Sequence, residues 1–439
     1  MTPQVLPFVI LGGIVIASAA QTEVAHHVTA YLHFDKPYFT FFLTHSTFSL
    51  IFPLHLGLLY FTSPIPVSAY LASIRFVLTE QLGLASPHMP VSTREYTASW
   101  RDILPIWSQK VALLTALVTV PALSWFVAMQ YSMPVDITSI YATSSFAAYG
   151  FSLLLLGETL SRMTLGSILL AFLGVIIISL DGIDSGEGDS SRRAFGDGVM
   201  LFGAIALGLY EVIYKLTLPE GHGGVTVAPD EEEDYDPLPT SHTPPHSPES
   251  SAISHRSHFH PHRSASTPDI PLDTASPVLE DEHERPYALR RYTSASQLIK
   301  PGAPHYPGHP VPLPPALHAN FITSCIGVAT FLFLWPPIIW LHWMGFETFQ
   351  WPGQVGESAV MVWGGLAVVA WGGALYNAGL MVLIGVWGPT TSSVANLLAI
   401  GLVALVDALW VGIMPDLQTF VGVAFICAGF GGALWEGDP

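Results

Sequence analysis

Apolar residues in this chain come in unbroken blocks of about 20, separated by short turns, rather than in the alternation of a half-buried strand. Ten blocks predict membrane-spanning helices: 4–30, 38–62, 104–131, 135–157 and 163–181, then 197–218, 317–344, 357–386, 389–412 and 416–436. A run of this length in lipid must satisfy its own backbone hydrogen bonds, which selects helix over open sheet. Turns such as Met133-Pro134 and Gly388-Pro389 predict antiparallel hairpins between neighbours. Leu6 to Ala20 has the length of a signal-peptide core, and Ala17-Ser18-Ala19 resembles a cleavage site. Met1 to Gln4 lack the Lys or Arg of a signal n-region, so a retained first helix is expected.

Two hydrophilic stretches interrupt the pattern. Residues 63–102 form an amphipathic loop in which Ile74, Phe76, Val77 and Leu78 lie among charges, a setting for one interfacial helix. Residues 219–316 hold 19 of the 36 prolines and 10 of the 18 histidines, with much of the serine and acid. Such a segment buries too little apolar area to offset its ordering entropy, so a disordered loop is expected there. The chain then reads as a five-helix unit over 1–182, a sixth helix over 183–218, the loop 219–316, and helices seven to ten over 317–439.

Composition agrees with lipid as solvent: 50% hydrophobic, only 11% charged, mean hydropathy +0.47. Much of the net charge of -18 sits in the central loop, including the acidic run 230–236, and does not describe a surface seeking basic partners. With 15 Lys plus Arg and no basic helix, nucleic acid is excluded as a partner. Cys325 and Cys427 lie in apolar segments as small packing residues. With the N-terminus cytosolic, Arg75, Arg94, Arg101 and Arg162 face the cytosol, and Lys110 and Lys215 lie near that side. The opposite side keeps only Lys36, Arg192 and Arg193. Both termini and the long loop are therefore expected in the cytosol.

The two halves echo each other. Tyr141-Ala-Thr-Ser-Ser-Phe leads to Glu158, and Thr391-Ser-Ser-Val-Ala-Asn396 leads to Asp407. Ser144 to Glu158 and Ser393 to Asp407 are both 14 residues apart, about four helical turns. A glycine-bearing apolar helix follows each, with Gly166 and Gly174 in one and Gly422 and Gly429 in the other. Five helices repeated once give an inverted repeat, because an odd count turns the second copy over.

These residues resemble a known family. Ala142-Thr-Ser-Ser-Phe through Leu156-Gly-Glu158, with Gly166 to Gly174-Val-Ile-Ile, is similar to the EamA-type signature of the drug/metabolite transporter superfamily. Tyr210-Glu-Val-Ile-Tyr-Lys215 and Lys36-Pro-Tyr-Phe-Thr40 resemble, more narrowly, the F subfamily of solute carrier family 35 and its fungal relatives. Asp407 in the place of Glu158, and the longer interval before Gly422, depart from strict symmetry. The resemblance implies ten helices, alternating access, a small-molecule substrate bound between the halves, and a vacuolar, Golgi or plasma membrane location. No cofactor is implied.

Ionisable and amide groups within the bilayer are the candidate substrate contacts, since each is costly to bury there. Glu23, late in the first span, and Glu211, late in the sixth, hold equivalent positions; each reads as a cavity carboxylate or as one reaching the interface. Ser144, Ser392 and Asn396 are candidates from the hydroxyl clusters, which can line a cavity or bond their own helix. Asn377 is an amide in an apolar span and needs a partner. Asp407 is flanked by apolar residues, whereas Glu158 reads as an interfacial charge. In the loop, His255, His258, His260 and His262 form a biased tract without the frame that fixes zinc geometry. Arg263 to Pro268 fits a kinase and 14-3-3 site at Ser266. No HExxH, Gly-x-Ser-x-Gly, P-loop or dinucleotide glycine motif stands in a fitting context, which excludes the common enzyme classes and an ATP-driven pump. A secondary transporter is the expected function. A scaffold that recruits partners through its loop, and a zinc transporter, are the alternatives.

Overall fold

The computed structural model describes residues 6–84, 98–132, 134–157, 162–181, 190–218, 313–352, 358–398, 400–402 and 417–436. All of these fall in one compact unit of the chain; the other unit, Val227–Arg291, lies outside them. The expected loop disorder, the four loop histidines, Ser266 and Asp407 therefore lie outside the described residues, as does Glu158.

The described residues are helical and contain no strand. In chain order the helices are α1 Leu6–His26, α2 Pro37–Thr47, α3 Ile51–Thr62, α4 Val67–Gln81, α5 Trp100–Ala128, α6 Pro134–Tyr141 and α7 Ser144–Phe151. Then follow α8 Arg162–Asp181, α9 Ser190–Thr217, α10 Pro315–Phe333, α11 Pro336–Met344, α12 Ala359–Asn396 and α13 Leu417–Glu436. Among the described residues, six stretches are long and apolar enough to cross a bilayer: Leu6–Tyr31, Pro37–Thr62, Trp100–Ala128, Ala194–Thr217, Ala316–Phe333 and Ala359–Thr390. Shorter apolar helices run over Ser144–Leu156, Leu165–Ile177 and Phe420–Gly432. Their outer faces leave Leu54, Leu58, Phe61, Leu154 and Phe331 exposed, an amount of apolar surface that water would not tolerate and lipid does. The chain is a helical membrane protein.

Two helices break where proline removes a backbone donor, and side chains from the other half repair both breaks. Pro53 cannot donate to the Ser49 carbonyl, and the chain tightens into a 3₁₀ turn over Phe48–Leu50 between α2 and α3. Ser324 of α10 patches this gap. Its Oγ donates to the carbonyls of Phe48 (2.9 Å) and Ser49 (3.1 Å) and accepts from the N–H of Phe52 (2.8 Å). Gly327, one turn on, lets the α10 backbone lie against Phe48 and Ser49. Pro336-Pro337 likewise divide the expected span 317–344 into α10 and α11, and the Tyr38 hydroxyl donates to the stranded Leu334 carbonyl at 2.8 Å. The expected span 135–157 is divided at Ala142-Thr143, where the Thr143 hydroxyl donates to the Ile140 carbonyl. It closes through a π turn, Ser152–Leu156, on Gly157 in the left-handed region.

Glycines set the closest helix contacts. On α12, Gly365, Gly372 and Gly379 recur every seven residues and meet Val28, in the π turn His27–Tyr31 that follows α1, and Gln21 and Ile14 of α1, which step by seven in the opposite direction. The two helices are thus antiparallel, with one glycine at each crossing level. α8 and α13 pack in the same manner, Gly174 against the Gly422 backbone and Gly429 against Ser167 and Ala171. Gly166, by contrast, faces open space.

Residues 63–84 contain α4, whose buried face includes Tyr70, Ile74, Val77 and Leu78. Gln81 of α4 donates to the Thr217 carbonyl at the end of α9.

Candidate functional site

At the centre of the bundle lies a cavity of about 80 Å³, room for roughly six waters by the volume one water needs. Ser18, Gln21 and Thr22 of α1 form one wall. Thr138, Tyr141 and Ala142 of α6 and its end form the opposite one. His45 of α2 and Tyr376 and Asn377 of α12 complete the polar lining. Val118, Pro121, Trp125 and Phe126 of α5, Leu207 of α9, and Leu397 and Ile400 supply the apolar part. Elements from both halves of the sequence therefore contribute.

The lining is held by bonds between those halves. The Tyr141 and Tyr376 hydroxyls are 3.2 Å apart. Asn377 anchors by donating from Nδ2 to the Gly373 carbonyl on its own helix at 2.9 Å. His45 is buried, packed between Phe41 (ring centroids 4.7 Å apart) and Phe48 (4.4 Å), and its Nδ1 has no hydrogen-bond partner. Thr44 Oγ1 and Ser46 Oγ beside it are also buried without one. Buried polar atoms in that state cost about 1–3 kcal/mol each relative to a satisfied group; of the three residues, His45 lines the cavity.

An apolar plug of Ala25, Tyr38, Phe41, Phe126 and Val369 adjoins the cavity through Phe126. Phe126 also borders a small recess on the far side of the plug, lined by Asp35, Lys36, Thr40 and Gln130. The polar residues there tie the helix ends together. Gln130 donates to Asp35, Ser132 Oγ donates to Asp197 at 2.7 Å, and the Arg192 guanidinium lies 5.7 Å from the centre of the Tyr131 ring. Glu347, after α11, accepts from the N–H groups of Tyr38 (2.9 Å) and Phe39 (3.0 Å) in the first turn of α2. Those are orphan donors of a helix N-terminus, and Pro37 at N1 has none to satisfy. Burial raises the Glu347 carboxyl above its ordinary value, against the lowering pull of these two N–H groups and Lys36. Asp35 is raised by burial too, partly offset by Lys36 and Arg192.

The opposite end is packed with aromatic and sulfur side chains: the Tyr210 hydroxyl meets Met381 Sδ at 3.6 Å and the Tyr214 hydroxyl donates to the Ala319 carbonyl at 3.1 Å. Buried Lys215 donates to the Ile384 carbonyl at 3.4 Å, in the last turn before α12 breaks at Gly388 (φ 82°) and Pro389. A cation there complements the negative end of the helix.

Of the residues singled out in the sequence, Asn377 lines the cavity. Glu211 is fully buried on α9, within electrostatic reach of Tyr141 and Tyr210, and does not reach the lining. Glu23 is half-buried on α1, next to the lining residues Gln21 and Thr22 and not itself among them. Ser144 is buried at the start of α7, where α9 packs through Gly208, away from the cavity. Ser392 is fully buried just past the break in α12, its hydroxyl without a partner. Asn396 ends α12, and its side chain lies outside the described residues.

His45, Gln21 and Tyr141 were missed as contacts. His45 carried a readable signal, an imidazole inside the apolar block 38–62, where any titratable group is a candidate by its cost. Gln21, an amide inside the block 4–30, carried the same signal as Asn377; Tyr141 carried none, since a tyrosine in a membrane span is a common packing residue.

No family model matches the chain, and no curated protein matches it. A solved structure titled "Crystal structure of protein" is similar over 99% of both chains at 12% identity with a TM-score of 0.48.

Proposed function

We propose that the chain is a secondary transporter that moves small organic solutes by alternating access through the central cavity. One observation carries this reading: a cavity inside the apolar bundle, lined from both halves of the sequence and carrying amide, hydroxyl and imidazole groups among its apolar walls. A bundle that only anchored a loop in the membrane would gain nothing from buried, unsatisfied polar groups at its centre.

We read the architecture as ten crossings in two inverted repeats of five, the pattern the sequence shares with the drug/metabolite transporter superfamily. The crossings are α1, α2–α3, α5, α6–α7 and α8, then α9, α10–α11, the two parts of α12 on either side of Gly388, and α13. The helix pairing supports this. Crossing one packs on eight (α1 with α12), and crossing three packs on six (α5 with α9); exchanging the repeats turns one pair into the other. Two against seven (α2 and α3 with α10) and five against ten (α8 with α13) each map onto themselves. An inverted repeat with a twofold axis in the membrane plane predicts such a set, with the solute site on the axis. In this reading the termini are cytosolic and the Glu347 clasp faces away from the cytosol. A vacuolar, Golgi or plasma membrane remains the proposal for location.

Flux into proteoliposomes tests the reading. Asn377→Ala, in the lining, and Glu211→Gln, behind it, are expected to lower saturable uptake at least tenfold at unchanged protein insertion. A loop deletion over 225–310 is expected to leave uptake intact. The opposite pattern, with the loop required and both cavity variants silent, would identify a scaffold.

A further inference from the structure

We infer that the cavity selects an uncharged solute bearing hydroxyl or amide groups, recognised through His45, and rejects phosphorylated anions and cations. The inference rests on the transport reading and concerns what the site accepts. Among the described residues that line the cavity there is no Lys, Arg, Asp or Glu. A phosphate brought here would lose its hydration with no guanidinium or ammonium to meet it, and charge buried without a partner is strongly disfavoured. The nearest fixed cation toward the α9 end, Lys215, is committed to the carbonyl of Ile384. Lys36 and Arg192 lie beyond the plug of Phe126 and Val369.

A cation fares little better. Trp125, Phe126, Tyr141 and Tyr376 offer ring faces, but cation–π attraction recovers only part of the desolvation of an ammonium. The carboxylates that would supply the rest, Glu23 and Glu211, are not in the lining.

What the lining does offer is paired donors and acceptors. His45 lines the cavity, and a neutral imidazole has one N–H and one lone pair to offer. Gln21 and Asn377 each carry both a donor and an acceptor, and Ser18, Thr22 and Thr138 add hydroxyls. The apolar wall of Val118, Pro121 and Leu207 suits a flat or aliphatic face of the same molecule. Selectivity follows from unpaired polar atoms: a solute lacking the group that meets His45 leaves the cost in place.

The test is thermal stability of the purified full chain in detergent against a metabolite library that includes uridine, myo-inositol and nicotinamide as uncharged probes. UDP-glucose and glucose 6-phosphate serve as anions, and choline and spermidine as cations. A ligand of the folded state raises the melting temperature by mass action. The hits are expected to be uncharged at pH 7. Their apparent Kd is expected to rise at least tenfold in His45→Leu and by less in His45→Gln, which keeps a donor and an acceptor. Stabilisation by the anions or the cations alone would overturn the class assignment and leave the transport reading standing. Uncharged hits with equal affinity for wild type and His45→Leu would overturn the role of His45. A library without any hit would overturn both this inference and the transport reading.

Discussion

The hydroxyls of Tyr141 on α6 and Tyr376 on α12 meet at 3.2 Å across the cavity and join the two halves of the chain at its centre. Removing one takes away the bond the other makes across the cavity. Tyr141→Phe and Tyr376→Phe are each expected to cost about 1 kcal/mol of stability, the low end of the range for an orphaned buried group because both border the cavity. The double change is expected to cost less than the two together. A double-mutant cycle by denaturation in detergent reads that coupling directly, and strict additivity would mean that the pair is not bonded in the folded protein.

Gly166 and Gly174 share one helix and, in the sequence, one reading; in the structure they differ. A Cβ on Gly174 would overlap the Gly422 carbonyl, a backbone atom that cannot step aside, whereas a Cβ on Gly166 meets nothing within 4 Å. Gly174→Ala is expected to lower stability by about 1–3 kcal/mol through overpacking. Gly166→Ala is expected to be neutral or to gain up to about 1 kcal/mol from helix propensity. Melting temperatures of the two variants in the same detergent give the comparison, and equal losses would contradict the α8–α13 contact.

Glu347 couples the α2 N-terminus to pH. Its folded carboxyl is raised above the ordinary 4.5, as is that of Asp35 above 3.8. The folded chain then holds more protons than the unfolded one in the window above these ordinary values. Stability therefore falls as pH rises through that window and recovers as pH is lowered. The protein is expected to melt higher near pH 5 than at pH 7.5. Glu347→Gln, neutral at both, is expected to shrink the difference without abolishing it, because Asp35 remains. An unchanged difference would show that Glu347 does not carry the effect.

The membrane class and the helix segments were legible because lipid imposes one rule everywhere: a long apolar run must be a helix. Where the structure departs, the cause is local. Pro53 and Pro336-Pro337 break helices that run length alone predicts as continuous, and the hydroxyls that repair them, Ser324 and Tyr38, lie some 270 to 300 residues away in sequence. The seven-residue glycine step of α12 acquires its partner only in the structure, because the matching register is carried by Ile14, Gln21 and Val28, which have no distinctive pattern of their own. The same holds for the site. Asn377 stands out as an amide among apolar residues, while Tyr141 acquires its meaning only beside Tyr376. Glu23 and Glu211 were singled out for the cost of their charge, and that cost says a group is buried without saying which wall it faces.

The central claim is that the cavity opens in turn to each side of the membrane, and it can be tested before any solute is known. With Cys325 and Cys427 replaced by alanine, Ser18→Cys puts a single thiol of nearly native size in the cavity wall. Reaction of that thiol with a membrane-impermeant maleimide is then followed from each face of oriented proteoliposomes. Alternating access predicts labelling from both faces, with Phe126→Ala speeding it from the Glu347 side by removing part of the plug. Labelling from one face only, or from neither, would contradict the account.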